Sequence, residues 1–411
     1  MHHNITTDFD IIIIGGGVVG LTCALSIITN NPQLKIAIFE ILDYQDKFKP
    51  EILDDRIYAI APSNIKAFLT LGLTDLNNYN KVVDVESMQI HANNNTKLEF
   101  NQQLAQSIYL AKIIEETYLL KLIHTQLLKF NNVQIIKESL ESIVHTTEIT
   151  SKIVTIHTKH KTYTTKLLIA ANGANSCVRS YINNQVNETT NNTQIIDYQQ
   201  NGVVANFKVT IPHNNCARQW FLQDKILAFL PLPNNCISIV LSCSDAKEIV
   251  ALPDSKFTNL VSSLSYNSLG EMQLISKARF FPLKMSLINK LYYNNTVLIG
   301  DAAHTIHPLA GMGLNLGIAD ALILSKLITQ SVAKVGGLQV QNINTFLVKY
   351  NILRLTELRK VQLTCHVLQR SFMSQNKFMR FVCDFGVKIT NSNFLLKKFL
   401  SNQACNFIND F

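Results

Sequence analysis

The stretch "DIIIIGGGVVGLTCALSIITN" (10–30) narrows the folds open to this chain more than any other. Asp10–Ile14 reads as a short strand buried on both faces, closed by three glycines, and the residues from Val18 onward have helical spacing. A second β-branched run, "LKIAIFE" (34–40), follows a turn at Pro32 and completes a strand–helix–strand unit. Within it Gly15-Gly16-Gly17-Val18-Val19-Gly20 satisfies G-x-G-x-x-G. Gly15 permits the tight turn, Gly17 lets a pyrophosphate reach backbone N–H groups, and Gly20 lets the helix lie close to the strand. Glu40 ends the second strand twenty residues beyond Gly20, where an acid accepts hydrogen bonds from a ribose 2′-hydroxyl. The pattern predicts a dinucleotide with an unphosphorylated ribose, NAD or FAD, and does not choose between them.

The 411 residues, 47% of them hydrophobic, allow two or three domains with real cores. The formal charge of +8 comes from scattered lysines, with no basic stripe and no aromatic interleaving, which argues against a nucleic-acid partner. The eight cysteines have no C-x-x-C spacing and no histidines at ligand spacing, so free thiols in a reducing cytoplasm fit better than disulfides or a metal. "IIIIGGGVVGLTCALSII" (11–28) is long enough to suggest a membrane span, but its adjacent glycines make it a poor one. "MHHNITTDFD" lacks the basic start of a signal peptide.

Beyond residue 80 alternating patterns predict antiparallel strands, notably across 200–245. Another buried run at Leu167–Ala171 precedes "NGANSCVR". After "TVLIG" (296–300) the chain turns helical, with Tyr350, Leu353 and Val361 at core-facing spacing. "FLLKKFL" (394–400) reads as an ordinary solvated helix rather than an interfacial one.

"VLIGDAAHTIHPLAGMGLNLGIAD" (297–320) ends an apolar run in a lone carboxylate, Asp301, and then removes bulk at Gly311, Gly313 and Gly317. A dinucleotide anchored at Gly15–Gly20 must lay its other half elsewhere along the sheet. FAD has a polyol chain there, for which Asp301 is an acceptor, and a flat ring that needs close approach to backbone. The alternative is a helix cap by Asp301 followed by tight packing.

This segment closely resembles the second FAD motif of the class A flavoprotein aromatic monooxygenases, in detail the branch that hydroxylates ubiquinone precursors. "DDRIYAIAPSNIKAFLTLGL" (54–73), "WFLQDKILAFLPL", "SIVLS" and "FPLKMSLINKLYYNNTVLIGDAAH" extend the resemblance over most of the chain. It implies an α/β fold: a Rossmann-like FAD-binding domain from residues 1–80, 100–180 and 280–335, an inserted, mostly antiparallel β-sheet substrate domain from 81–99 and 181–279, and a helical C-terminal region, 336–411. It assigns to the FAD site Gly15, Gly16, Gly17, Val19, Gly20, Glu40, Arg56, Asn172, Asp301, Gly311, Met312, Gly313, Leu314 and Asn315, with Pro308 near the ring and the substrate.

The implied chemistry is hydroxylation of a polyprenylated phenol by O₂ through a flavin hydroperoxide, with NAD(P)H as a transient donor. The implied setting is the cytoplasm, with room for peripheral contact with the inner face of the membrane or with a quinone-biosynthesis assembly. The chain departs from the family pattern in three places. Asn172-Gly173 stands where Asp-Gly is usual, Met312 replaces a Gln, and Lys225-Ile226 replaces a common Gly-Pro. His304 and His307 read as hydrogen-bonded structural histidines, and no protein acid, base or metal is assigned. Two other readings stay open: a flavin-dependent reductase or dehydrogenase on the same scaffold, and a catalytically weakened flavoprotein serving as a subunit of a biosynthetic assembly.

Overall fold

The computed structural model describes residues 6–44, 53–78, 80–92, 97–146, 152–185, 193–306 and 311–372. His307, Pro308 and "FLLKKFL" therefore lie outside the described residues. The isoleucine run forms the strand Phe9–Ile14, which sits in the middle of a parallel set. Ile36–Phe39 and then Val133–Ile136 lie on one side of it; Thr162–Ala170 and then Thr296–Leu298 lie on the other. Strands covered on both faces need no polar alternation, and Ile11, Ile12 and Ile13 are fully buried.

The helix Val18–Asn30 packs on this sheet and against the helix Met312–Val335. Their polar groups pair across the contact, Ser26 Oγ with Ser325 Oγ at 2.8 Å and Asn31 Nδ2 with Thr329 Oγ1 at 2.8 Å. Met312–Val335 is bounded by Gly311 (φ +62°) and Gly336 (φ +76°), left-handed positions that glycine adopts without strain. Among the described residues it is the one helix long and apolar enough to cross a membrane, but 67% of its most apolar stretch is buried inside the protein, so it is a core helix. The helix Val340–Phe372 continues the same core through Ile343, Phe346, Leu347, Tyr350 and Leu358.

A second, antiparallel-rich sheet runs Met272–Leu274, Thr193–Val209, Cys236–Cys243, Ile226–Leu232, Cys216–Phe221, Ser87–His91 and Lys97–Asn101, with Arg279–Ile288 also paired to Thr193–Val209. Residue alternation gives it two unlike faces. Val203, Ala205, Phe207, Trp220, Leu227, Phe229, Ile237 and Ile239 pack against Phe257 and Val261 of the helix Asp254–Leu264. On the other face Ala217, Leu230, Leu232 and Cys236 pack against a three-stranded sheet of Ile57–Ile60, Val82–Val85 and Ala111–Glu115. That small sheet joins the two larger ones. Trp220 and Phe229 are thus core of the second sheet, turned away from the nucleotide domain.

Candidate FAD site

Three turns leave the carboxyl ends of adjacent parallel strands, the edge at which open α/β sheets bind ligands. Backbone hydrogen bonds hold them in line: Gly15 N to Phe39 O at 2.9 Å, Ala171 N to Ile14 O at 2.8 Å, and Ile299 N to Ala170 O at 2.9 Å. Gly15, at φ +104°, presses on the second turn, since a Cβ there would lie 2.5 Å from the Ala171 carbonyl oxygen. A Cβ on Gly20 would lie 2.0 Å from the Gly15 oxygen. At Gly17 a Cβ would meet nothing within 4 Å, which leaves open space above the N-terminus of a helix.

Both peptide groups around Gly16 are held by side chains. Glu40 Oε2 accepts from Gly16 N–H at 2.9 Å, and the Tyr44 hydroxyl donates to the Gly16 carbonyl. Glu40 Oε1 accepts from Leu42 N–H at 2.9 Å. A carboxylate offers roughly four acceptor positions, so two remain for a ribose diol. Tyr44 rests on His124, ring centroids 5.0 Å apart; burial of its hydroxyl, then the Glu40 charge, raises the Tyr44 pKa.

In the second turn Asn172 Oδ1 accepts from Ser176 Oγ at 2.6 Å, and Ser176 Oγ accepts from Arg179 N–H at 3.0 Å, capping the helix Cys177–Gln185. Arg179 then crosses to the third turn, donating to the carbonyls of Asp301 and Ala302 at 3.1 Å each. Val19 completes the connection. Its methyl carbons lie 3.1 Å from where a Cβ would stand on Gly300 and 2.7 Å from that on Gly317.

Asp301 is exposed to solvent. The protein packed around it raises its pKa, opposed by His304, Arg56 and Arg179. Arg56 stands at the mouth, 71% exposed, with Nη1 3.3 Å from Glu116 Oε1; Tyr58 donates to the same oxygen at 3.0 Å. Beyond Asp301, Gly311 precedes a 24-residue helix whose first turn holds Met312, Gly313 and Leu314. A Cβ on Gly313 would also meet nothing within 4 Å. Asn315 faces inward: its Nδ2 donates to the Ala59 and Gly311 carbonyls at 2.8 and 3.0 Å, and its Oδ1 accepts from Ala61 N–H at 2.8 Å. It positions Ala59–Ala61 against the helix start.

His304 is fully buried, with Nε2 2.6 Å from Asp320 Oδ2. Gly300 N–H donates to the same oxygen at 2.9 Å, and Arg354 Nε donates to Oδ1 at 2.6 Å. Burial opposes the Asp320 charge, but attraction to His304 and Arg354 and these hydrogen bonds hold its carboxyl below the ordinary value. Lys225, one of the departures, caps a tight hairpin through Asp224 and Asp245 at 2.8 and 3.1 Å.

Tyr44, Glu116, Arg179 and Arg354 have no local signature in the sequence, because each holds an element remote from it. Asp320 does have one: a lone acid inside "GIADALIL" must find a buried partner.

The open space above Gly17, the free acceptor positions on Glu40, the exposed Asp301 carboxylate and the unobstructed helix start at Gly313 fit an extended FAD. The FAD binding domain family matches residues 8–334. "Uncharacterized protein slr1300" of Synechocystis sp. is 30% identical over 326 residues, 78% of this chain and 75% of its own length. The ubiquinone biosynthesis monooxygenase COQ6, mitochondrial, of Danio rerio is 26% identical over 435 residues, 93% of this chain and 87% of its own. Among solved structures, p-nitrophenol 4-monooxygenase PnpA of Pseudomonas putida DLL-E4 superposes with a TM-score of 0.77 at 17% identity, covering 98% of this chain and 99% of its own. The chain belongs to the FAD binding domain family and is an FAD-dependent monooxygenase with the class A flavoprotein fold.

Proposed function

We propose that the protein hydroxylates the ring of a polyprenylated phenol in ubiquinone biosynthesis, using NAD(P)H and O₂. One observation carries this reading: an apolar, incompletely covered row crosses the second sheet on the face turned to the nucleotide domain. Register pairs Ile90, Gln219, Ala228, Val240, Val204 and Arg279 across six strands. Ile90, Ala228, Val240 and Val204 are only half-buried although most lie in the middle of the sheet. Apolar side chains left partly accessible suit an aromatic ring with an apolar tail. The similarity to the COQ6 monooxygenase supports the same substrate class.

Bound FAD supplies the redox chemistry, passing electrons from the nicotinamide to O₂. The chain does the rest. Glu40 would hold the ribose, Gly17 would admit the pyrophosphate, Asp301 would accept from the ribitol, and the N–H groups at the Met312 helix start would favour negative charge on the flavin. Phe281 stands over Gly202 beside the apolar row; a Cβ on Gly202 would lie 2.9 Å from the ring. With the row it keeps water from the reacting faces. The test is oxygen-coupled turnover by the FAD-loaded protein. A prenylated phenol should stimulate NAD(P)H oxidation and appear as a product carrying one added oxygen atom. Oxidation of NAD(P)H without oxygenated product, with a reduced acceptor instead, would favour a reductase.

A further inference from the structure

We infer that Gln219 reads the ring oxygen of the substrate. This rests on the phenol-hydroxylase reading above and deepens it to one residue. Trp220 belongs to the core on the helix-covered face, so alternation directs Gln219 to the face shared with Ala217 and Ala228. Gln219 is 6% exposed, its amide has no hydrogen-bond partner among the described residues, and its amide atoms are not among the buried unpaired ones, so the end of an otherwise buried side chain meets solvent. Such an amide end can exchange water for a ligand, and a ligand that covers it without a matching group leaves it unpaired, at about 1–3 kcal/mol in mutational series.

Its neighbours in the row supply no partner. Ile90, Ala228, Val240 and Val204 are apolar, and Arg279 at the far end is paired with Asp55 at 2.9 Å. Gln219 is thus the one neutral polar side chain of a row whose other members are four apolar side chains and the ion-paired Arg279. An amide suits a phenol in both of its states: Oε1 accepts from the hydroxyl, and Nε2–H donates to the oxygen as the ring becomes electron-rich. The amide itself brings no charge into the row in either case. A carboxylated aromatic would call for a cation at this place instead.

The test uses the FAD-loaded full chain and reads the flavin absorbance change on titration. The probes are a short-chain prenylated phenol and the same ring lacking the hydroxyl. Wild type should prefer the phenol by roughly tenfold. Gln219→Met, which keeps the length, and Gln219→Ala, which leaves room for water, should retain full FAD content and lose that preference. In turnover both should raise KM for the phenol and waste more NAD(P)H per product. A folded variant that keeps the wild-type preference overturns the assignment of Gln219 and leaves the hydroxylase reading standing. Failure of wild type to bind either compound overturns both.

Discussion

A methyl group added at each motif glycine would meet a different neighbour, so alanine substitutions separate fold from cofactor. At Gly20 it would strike the Gly15 carbonyl, rigid backbone at 2.0 Å. Gly20→Ala should therefore destabilise the protein without FAD by about 1–3 kcal/mol, read by urea unfolding. At Gly17 the added methyl would stand in open space, so Gly17→Ala should change that stability by less than about 1 kcal/mol while weakening FAD binding more than tenfold. A fluorescence titration with FAD checks the second half. Asn172 is engaged at one remove in the same turn, because its amide oxygen accepts from the Ser176 hydroxyl that caps the helix Cys177–Gln185. Aspartate there keeps the acceptor for Ser176 and adds negative charge near a helix N-terminus, which that dipole favours. Asn172→Asp should keep its FAD and its melting temperature but change the rate of flavin reduction by NAD(P)H, measured by stopped flow; equal loss of FAD and of rate would contradict this.

Among the elements, Asp320 ties three together: the turn at Gly300, its own helix and the last helix through Arg354. Removing the carboxylate leaves a buried guanidinium uncompensated, so Asp320→Ala should cost about 3–5 kcal/mol. The pH signature has a definite sign. The folded-state carboxyl lies below its usual 3.8, so its contribution is full above that value and fades as pH falls through the lower folded value. Wild type should therefore lose more stability than Asp320→Ala below about pH 4, as denaturant titrations at stepped pH would reveal. The strand, the glycine turn and the first helix were legible in residues 10–30 because backbone constraints and apolar period are local properties. The second sheet was legible as strands but not in its order, since pairing Gln219 with Ile90 joins segments with a whole nucleotide-binding strand and helix between them. Likewise Trp220 and Phe229 have the composition of a substrate wall, and only the sheet's alternation assigns them to its outer core.

For the whole molecule, contacts join the nucleotide domain to the second sheet at two separate places. Asn206 Nδ2 donates to the Asp54 carbonyl at 2.9 Å and Arg279 pairs with Asp55, while Thr305 N–H donates to Ser286 Oγ at 2.8 Å. FAD bound between these contacts should stabilise both bodies together, by about 2.7 kcal/mol at a hundredfold excess over Kd. Calorimetry should show one transition that moves upward with added FAD; two transitions, only one of them moving, would mean that the bodies unfold independently.

Val19 carries a consequence for anyone recombining this chain with a relative. Its two methyls fill the hollows left by Gly300 and Gly317, so the opening of the chain and its final third share a single knob and socket. A crossover placed anywhere between them inherits the knob from one parent and the socket from the other. Positions 19, 300 and 317 should travel as one heritable set, and hybrids that split mismatched parents there should emerge colourless.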